Sequence, residues 1–273
     1  MPKNTLCVLD STTITRNFDF GNSIQQLRFN TCEGKDQVSH WLEQGGWRAY
    51  ESPLPLLIAK STCKNNAIFF DIGANTGYYS IVAAMAGAQE IRAFEPIPFI
   101  MEALIKNIEL NPTISNKIST FQIALSDETA TKTIYMPHDG HGLIETSASL
   151  NSNFRDIHSD SFPVKYMTLD ETISINKNQN IERLILKIDV ESHEPEALKG
   201  ALKTIKKYRP LIFLEILPDS DISFLYEWAY RNQYNHCIIA PPNQITPIRE
   251  ITGSLKLRDH LFFPEETDLN YWF

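Results

Sequence analysis

From residue 67 onward, short apolar runs alternate with segments of helical periodicity, and this alternation limits the possible folds more than any other feature. Five of the runs predict strands: "AIFFDI" (67–72), "EIRAFE" (90–95), "ISTFQIAL" (118–125), "RLILKID" (183–189) and "PLIFLEI" (210–216). Continuous apolar strands are typical of parallel sheets whose two faces are both covered by helices. With "HCIIA" and "HLFFP" as a closing strand pair, the pattern predicts an α/β fold with an open, doubly wound, mostly parallel sheet.

Two regions depart from this alternation. Residues 1–60 predict an N-terminal extension that packs on a main domain of residues 61–273. In the extension, "ITRNFDFGNSIQQLRFN" predicts a β-hairpin, "DQVSHWLEQGGW" a short helix and "SPLPLLIAKS" a helical or irregular apolar piece. Residues 127–170 contain the strand-like runs "TKTIYM" and "FPVKYMTL", and the polar segment between them predicts either a functional loop or a disordered one.

Charge and composition narrow the choice of partners. The chain of 273 residues has a net charge of -8 and a pI of about 5.4, so we expect no binding to nucleic acid or to an anionic membrane. The first residues lack the apolar core of a signal peptide, and no apolar run approaches the ~20 residues that a membrane helix needs. The four scattered cysteines predict free thiols and a cytoplasmic protein.

The stretch "FFDIGANTGYYS" (69–80) joins the first predicted parallel strand to a helix through a glycine-containing turn. A dinucleotide fingerprint would need glycines at positions 73, 75 and 78, but two of these positions hold Asn75 and Tyr78. Asp71 would repel phosphate and attract a cation, so the turn predicts S-adenosylmethionine, a sulfonium without phosphate; the alternative is a plain strand–helix turn. The turn residues expected to bind this cofactor are Gly73, Ala74, Asn75 and Gly77.

Two further segments are expected to complete the cofactor site. Glu95 ends the second predicted strand, and a carboxylate there can accept hydrogen bonds from both hydroxyls of a ribose. The third predicted strand ends in "IALSD", where Ala124, Leu125 and Ser126 are expected to flank the adenine ring.

Several motifs together resemble the FkbM family of S-adenosylmethionine-dependent methyltransferases, from about residue 47 to residue 217. They are "FFDIGANTGYYS", "RAFEPIPF", "IALSD", "TLDE", "LKIDVESHEPEALKGA" and "RPLIFLEI". The resemblance implies a class I methyltransferase fold, a seven-stranded sheet with an antiparallel last strand, and methyl transfer to a hydroxyl, often on a sugar or a polyketide-derived ring. It also implies cofactor-binding roles for Asp71, Gly73, Asn75, Gly77, Glu95 and Ala124.

The segment "KIDVESHE" (187–194) concentrates the ionisable side chains of the chain. A methyl acceptor must lose a proton, and a positioned base accelerates this step by about 10²–10⁴-fold. His193 is the leading candidate for the base, with a hydrogen bond inside the loop as its alternative role. Asp189 is expected to serve the methionine amino group or the acceptor hydroxyl, and Glu191 to orient the acceptor. The sequence predicts only helix-start charges for Glu194 and Glu196.

Lys187 lies within an apolar strand, so it needs a carboxylate partner if it is buried, and Asp170 of "TLDE" is the predicted one. Asp189 and Glu215 end neighbouring strands and could together hold Mg²⁺, although we expect no metal site because no further oxygen ligand is evident. At position 192 the FkbM family usually has glycine, whereas this chain has Ser192. If this position needs a positive φ, serine is strained there by about 1 kcal/mol.

The sequence is consistent with three functions. The first is an O-methyltransferase for a hydroxyl of a sugar or another small natural-product-like acceptor. The second is an NAD-dependent oxidoreductase, and the third is a binding module that retains the cofactor but has lost turnover. The first also predicts a lid or acceptor pocket around His138, His141 and His158, and closure over the cofactor by Trp47, Tyr50 and Glu51.

Overall fold

The structure is a computed structural model. It describes residues 13–21, 23–64, 66–137, 158–173, 181–241, 244–247 and 250–273. His138 and His141 lie outside these ranges, and only the backbone of His158 is described. The role predicted for these three histidines therefore stays a prediction.

The described chain consists of strands and short helices in an alternating order. The strands are β1 (Thr13–Phe20), β2 (Ser23–Asn30), β3 (Ile68–Ile72), β4 (Glu90–Phe94), β5 (Ile118–Phe121), β6 (Ala124–Leu125), β7 (Ala130–Pro137), β8 (His158–Met167), β9 (Leu184–Ile188), β10 (Leu211–Glu215), β11 (Tyr234–Ala240), β12 (Gln244–Pro247) and β13 (Asp259–Pro264). The helices are α1 (Gln37–Gly45), α2 (Leu54–Thr62), α3 (Tyr78–Ala86), α4 (Pro98–Glu109), α5 (Leu169–Thr172), α6 (Glu194–Lys199), α7 (Leu202–Tyr208), α8 (Ile222–Asn232) and α9 (Leu269–Trp272). Within the described ranges, every helix is too short or too polar to span a bilayer.

An eight-stranded sheet forms the centre of the fold, in the order β12-β11-β13-β10-β9-β3-β4-β5. The strands from β10 to β5 run parallel, and β13 is antiparallel to both β10 and β11. The predicted mostly parallel α/β sheet is confirmed, whereas the predicted number of seven strands is corrected to eight in the described chain, because β12 pairs with β11 at the edge. The sequence "QITP" of β12 contains no apolar run that would mark a strand.

Two predicted elements are divided in the structure. The run 118–125 predicts one strand, but β5 pairs with β4 while β6 pairs with β8 in a separate three-stranded sheet. The helix predicted to begin at Pro195 is divided into α6 and α7 at Gly200. A Cβ at Gly200 would lie 1.9 Å from the carbonyl oxygen of Ser126, so this residue marks a close backbone contact. Apolar periodicity alone does not show such contacts.

Side chains of the central strands alternate between two cores, because successive residues of a strand point to opposite faces. Phe69 of β3 packs in the same cluster as Phe18 and Phe29 of the predicted hairpin, which is confirmed as β1 and β2. Phe70 belongs to the cluster on the other face, together with Trp228 of α8. The N-terminal residues thus share a core with the sheet, while the domain boundary near residue 60 stays a prediction.

The cysteines require one correction. Cys63 and Cys237 are free, but Cys32 is disulfide-bonded, so the prediction that the chain contains only free thiols is wrong. A disulfide depends on which cysteines meet in space, and their spacing along the chain does not show this.

Candidate active site

A cleft of about 1030 Å³, measured out to bulk solvent, opens at the carboxyl ends of the central strands. The order of the strands reverses between β3 and β9, which is where open α/β sheets bind their ligands. The predicted site residues that line it are Gly73, Asn75, Glu95, Ala124, Leu125, Asp189, Glu191 and His193.

Gly73 makes a close backbone contact in the cleft wall. It has a φ of +78°, and a Cβ at this residue would lie 1.8 Å from the carbonyl oxygen of Asp189. The N–H groups of Gly73 and Ala74 both donate to the carbonyl of Phe94, at 3.0 and 2.9 Å. The turn after β3 is therefore held between the ends of β4 and β9, which explains why residue 73 is glycine.

Glu95 is a buried carboxyl at the end of β4 that lines the cleft. Its Oε2 accepts a hydrogen bond from the N–H of Asn75 at 3.0 Å, and its Oε1 accepts one from the N–H of Ile97 at 2.9 Å. Burial raises the pKa of Glu95 to about 7, although both donors act to lower it. Each oxygen of the ionised form keeps a lone pair that can accept a ribose hydroxyl.

Four predicted cofactor residues do not line the cleft: Asp71, Ala74, Gly77 and Ser126. The sequence predicts a ligand contact for Asp71, whereas the structure places its side chain in the core, where Oδ2 accepts a hydrogen bond from Ser80 Oγ at 2.7 Å. Burial raises the pKa of Asp71 to about 6, and nearby Lys187 opposes this effect. Asp71 therefore supports the turn from below and is not itself in the cleft wall.

Apolar residues form the cleft wall on the β4 side of β3. Ala124 and Leu125 of β6 lie there as predicted, and Ile134 of β7 and Tyr166 of β8 join them. The last two were missed by sequence reasoning because they belong to a second sheet, β6-β8-β7, which comes next to the cleft only in the folded chain.

Acidic side chains form the wall on the β9 side of β3. Asp189 Oδ2 accepts from Lys187 Nζ at 2.8 Å, and Glu215 Oε1 accepts from Arg258 Nε at 3.0 Å. Although burial acts to raise the pKa of Asp189, Lys187 holds it below its ordinary value. Burial and the nearby charge of Asp189 raise the pKa of Glu215 to about 11. Asp189 is therefore the ionised carboxylate of this wall.

The predicted partner of Lys187 was wrong. Asp170 instead accepts hydrogen bonds from the backbone N–H groups of Lys203 and Thr204, at 2.9 and 2.8 Å, and so caps α7. Lys187 pairs with Asp189, two residues along the same strand end. Among the described residues, no three His, Cys, Asp or Glu side chains are grouped to hold a metal ion.

His193 lies at the start of α6 with both ring nitrogens close to polar partners. Nε2 is 3.0 Å from Ser126 Oγ, and Nδ1 is 3.4 Å from Glu196 Oε2. The ring meets Tyr166 edge to face at 6.0 Å. Burial lowers the pKa of His193, which leaves a neutral imidazole at pH 7. The ring therefore lines the cleft and contacts Ser126 and Glu196, while its role as the base stays a prediction.

The turn before α6 contains two residues with positive φ, Glu191 at +53° and Ser192 at +69°. Position 192 thus has the positive φ under which serine was expected to be strained. Ser192 Oγ donates to Asp219 Oδ1 at 2.7 Å, a bond that glycine could not make. Glu194 does more than carry a helix-start charge, since its Oε1 accepts from the N–H of Val190 at 3.1 Å and closes the turn.

The N- and C-terminal parts of the chain complete the cleft. Tyr50 and Glu51 line it as predicted, whereas Trp47 is buried and donates through Nε1 to Asp19 Oδ1 at 2.6 Å. Gln37 of α1 and Arg258 also line the cleft and were missed. Arg258 directly precedes β13, and it reaches the cleft because β13 inserts next to β10. No local pattern in the sequence shows this insertion.

The mostly parallel sheet, the antiparallel β13 and the glycine turn beside a carboxyl-lined cleft are the features of a class I methyltransferase fold. The family model described as "Methyltransferase FkbM domain" matches residues 71–235, and the chain belongs to the FkbM methyltransferase family. Among curated proteins, none matches the chain.

Three solved structures illustrate the similarity. The FkbM methyltransferase from Methylobacillus flagellatus KT is 16% identical, with a TM-score of 0.47, over 73% of this chain and 44% of that one. A putative RNA methyltransferase from Pyrococcus horikoshii is 14% identical, with a TM-score of 0.39, over 80% of this chain and 87% of that one. A precorrin-6y C5,15-methyltransferase from Geobacter metallireducens GS-15 is 11% identical, with a TM-score of 0.41, over 78% of this chain and 90% of that one. This chain thus spans less than half of the Methylobacillus protein.

Proposed function

We propose that this protein is an S-adenosylmethionine-dependent O-methyltransferase whose acceptor is a hydroxyl of a sugar or another small natural-product-like molecule. The observation that carries the proposal is the make-up of the cleft. A carboxyl held by two backbone N–H groups, Glu95, lies on one side of β3, and a carboxyl-rich wall lies on the other. Membership of the FkbM family supports the same conclusion.

The described residues of the cleft fit this cofactor, which carries a sulfonium and an ammonium group and no phosphate. Five residues with carboxyl side chains line the cleft, against one guanidinium, that of Arg258. The carboxyl residues are Glu51, Glu95, Asp189, Glu191 and Glu215. A pyrophosphate would meet unfavourable charge here and would lack the glycines that normally cradle it, which argues against a nicotinamide coenzyme.

Each part of the cofactor has a matching group in the cleft. Glu95 would accept the ribose hydroxyls, the apolar wall around Ala124 and Tyr166 would hold the adenine, and Asp189 would accept from the ammonium group. When bound, S-adenosylmethionine supplies a methyl group that its positive sulfur already activates.

The protein must then align the acceptor oxygen and take its proton. We assign to His193 the role of the base that takes the proton of the acceptor hydroxyl, because its neutral ring can accept a proton at pH 7. Ser126 holds Nε2 at 3.0 Å and fixes the ring, whereas the contact of Nδ1 with Glu196 is longer, at 3.4 Å, and is the one that an acceptor hydroxyl can replace. Glu191 and Asp189 supply carboxyl groups that orient the acceptor.

The proposal is tested by incubating the purified protein with S-adenosylmethionine and a panel of sugars and glycosylated metabolites. We expect S-adenosylhomocysteine to form with at least one hydroxyl-bearing acceptor, and the product to carry a new O-methyl group. The Asp189→Asn variant is the matched control and should form far less product. Products methylated only on nitrogen or carbon would contradict O-methylation. Cofactor binding without product across the panel would favour the inactive binding module, which the strained Ser192 also allows.

A further inference from the structure

Glu51 lies between α1 and α2, in a segment that contributes to the cleft wall. It lines the cleft, but its side chain is only 11% exposed. Its φ is +48°, in the left-handed region, which residues other than glycine seldom occupy. Enclosing a carboxyl group and straining its backbone both cost free energy, and such costs are concentrated at functional sites. Glu51 is therefore a candidate for contact with a ligand.

Both carboxyl oxygens of Glu51 are held by groups from distant parts of the chain. Oε2 accepts a hydrogen bond from the hydroxyl of Tyr79, in the first turn of α3, at 2.6 Å. Oε1 forms an ion pair with Arg258, which directly precedes β13. Each oxygen of a carboxylate has two lone pairs, so each oxygen of Glu51 can still accept one hydrogen bond from a ligand.

The two partners of Glu51 are themselves fixed by further contacts. Lys187 Nζ lies 4.7 Å from the centre of the Tyr79 ring. Arg258 Nε donates to Glu215 Oε1 at 3.0 Å, so this guanidinium bridges two carboxyl groups. A carboxyl group with anchored partners is preorganised, and little conformational entropy is lost when a ligand binds to it.

The order of the strands places this group at one end of the cleft. From β4 the sheet continues through β3, β9 and β10 to β13. Because β13 is antiparallel, its first residue lies at the same edge as the carboxyl ends of the parallel strands. The strand ends next to Glu95 and Arg258 are therefore four strand spacings apart, or roughly 19 Å. Glu51, which contacts Arg258, lies at the end of the cleft far from Glu95.

The proposed cofactor site leaves this end of the cleft for the acceptor. Glu95 is proposed to hold the ribose and Asp189 the ammonium group, so the cofactor extends from β4 to β9. Glu51 and Glu215 lie beyond it, at β10 and β13. An anionic acceptor group would meet two carboxyl groups there, whereas hydroxyl groups can donate to them.

We propose that Glu51 binds the acceptor, and that its carboxyl group accepts hydrogen bonds from one or two hydroxyls next to the one that is methylated. The acceptor class is then a polyhydroxylated molecule, such as a sugar with a free vicinal diol. Tyr79 is a positioning residue, because it does not line the cleft and acts on the acceptor through Glu51. The inference rests on the proposed function.

Two variants and a matched control test this assignment. Glu51→Gln keeps the shape of the side chain but removes its charge. Tyr79→Phe removes only the hydroxyl that holds Glu51 and keeps the ring that faces Lys187. Tyr78→Phe is the control, because the hydroxyl of this adjacent buried tyrosine donates to the backbone carbonyl of Trp47 and not to Glu51. Both tyrosine variants lose one buried hydrogen bond and should lower Tm by roughly 2–4 °C.

The measurement is the steady-state rate of S-adenosylhomocysteine formation with the sugar from the panel that reacts fastest. Glu51→Gln should raise the acceptor KM by about tenfold or more and Tyr79→Phe by about three- to tenfold, with kcat within about threefold of the wild type. Tyr78→Phe should leave KM unchanged. The Kd for S-adenosylhomocysteine should stay within about twofold of the wild-type value in all three variants, since Glu51 is assigned to the acceptor. With the deoxy sugar that lacks the neighbouring hydroxyl, Glu51→Gln and the wild type should have equal KM values.

Four results would overturn the inference while leaving the proposed function intact. They are a wild-type acceptor KM in Glu51→Gln, equal KM values in the two tyrosine variants, and an effect of Glu51→Gln that persists with the deoxy sugar. The fourth is a Kd for S-adenosylhomocysteine that is raised about tenfold in Glu51→Gln, which would place Glu51 against the cofactor. Absence of turnover by the wild type with every sugar of the panel would contradict the proposed function, and this inference with it.

Discussion

The backbone of Gly73 lies directly against the carbonyl oxygen of Asp189, so that no side chain fits between the turn after β3 and the end of β9. This contact joins the residues proposed to hold the cofactor to the carboxylate proposed to orient the acceptor. The N–H of Asp189 also donates to the carbonyl of Ile72 at 3.0 Å, so the two strand ends are locked together at this point. A change at residue 73 should therefore disturb both halves of the site.

The first prediction concerns Gly73→Ala. The added Cβ must move the end of β9, and alanine is strained at a φ of +78°, so we expect a free energy of unfolding lower by about 3 kcal/mol and a Kd for S-adenosylmethionine raised by at least about tenfold. Gly34→Ala is the matched control, because Gly34 has a φ of +79° and nothing within 4 Å of an added Cβ. It should lose only about 1 kcal/mol, with unchanged affinity. Stability is measured by chemical denaturation and affinity by calorimetry. If the two variants lost equal stability and equal affinity, the contact between Gly73 and Asp189 would have no special role.

The second prediction concerns the pH dependence of cofactor binding through Glu95. Only the ionised form can accept two ribose hydroxyls, and its pKa is raised to about 7 by burial, so the affinity should fall as the pH drops below 7. Glu95→Gln should bind S-adenosylhomocysteine about 10–100-fold more weakly and lose this pH dependence. Titration calorimetry at pH 6 and pH 8 measures both effects, with the exposed Glu102→Gln as the control. Wild-type affinity in the Glu95→Gln variant would show that Glu95 does not bind the cofactor.

The third prediction separates the two effects of Ser192. Ser192→Gly relieves the strain of a φ of +69° but loses the hydrogen bond to Asp219, so its free energy of unfolding should change little. Ser192→Ala loses the bond and keeps the strain, so it should be less stable by about 1 kcal/mol. Methyl transfer by Ser192→Gly should be equal to the wild type or faster. A large loss of activity in this variant would show that the serine itself is required.

The fourth prediction tests His193 as the base. His193→Gln should lower kcat by about 10²–10⁴-fold while the Kd for S-adenosylmethionine stays near the wild-type value. In the wild type, the rate should fall when the ring is protonated, and since burial lowers its pKa, this acidic limb should lie below pH 6.5. Rates of S-adenosylhomocysteine formation from pH 5 to pH 8 measure it. A wild-type rate in the His193→Gln variant would show that His193 is not the base, and Asp189 or Glu191 would then be the candidate.

These predictions depend partly on features that the sequence shows and partly on features that it does not. The strand–helix alternation and the glycine turn at Gly73 could be predicted, because each is encoded by adjacent residues. Arg258, Gln37 and Tyr166 could not, since they reach the cleft through strand insertion and packing between distant segments.

The same limit applies to pairings within the site. The need of Lys187 for a carboxylate follows from its apolar strand, but the choice of Asp189 over Asp170 depends on which groups the folded sheet brings together. Asp71 is a further example. An acidic residue next to a glycine turn predicts a ligand contact, but the folded chain buries this side chain, and the sequence does not show its burial.

The proposed function requires that the carboxyl-lined cleft bind a sulfonium nucleoside and not a diphosphate coenzyme. Titration calorimetry of the purified protein with S-adenosylmethionine, S-adenosylhomocysteine and NAD tests it most directly. We expect saturable heat with the first two ligands, at micromolar Kd, and none with NAD. Saturable binding of NAD together with no heat from either sulfur compound would contradict it.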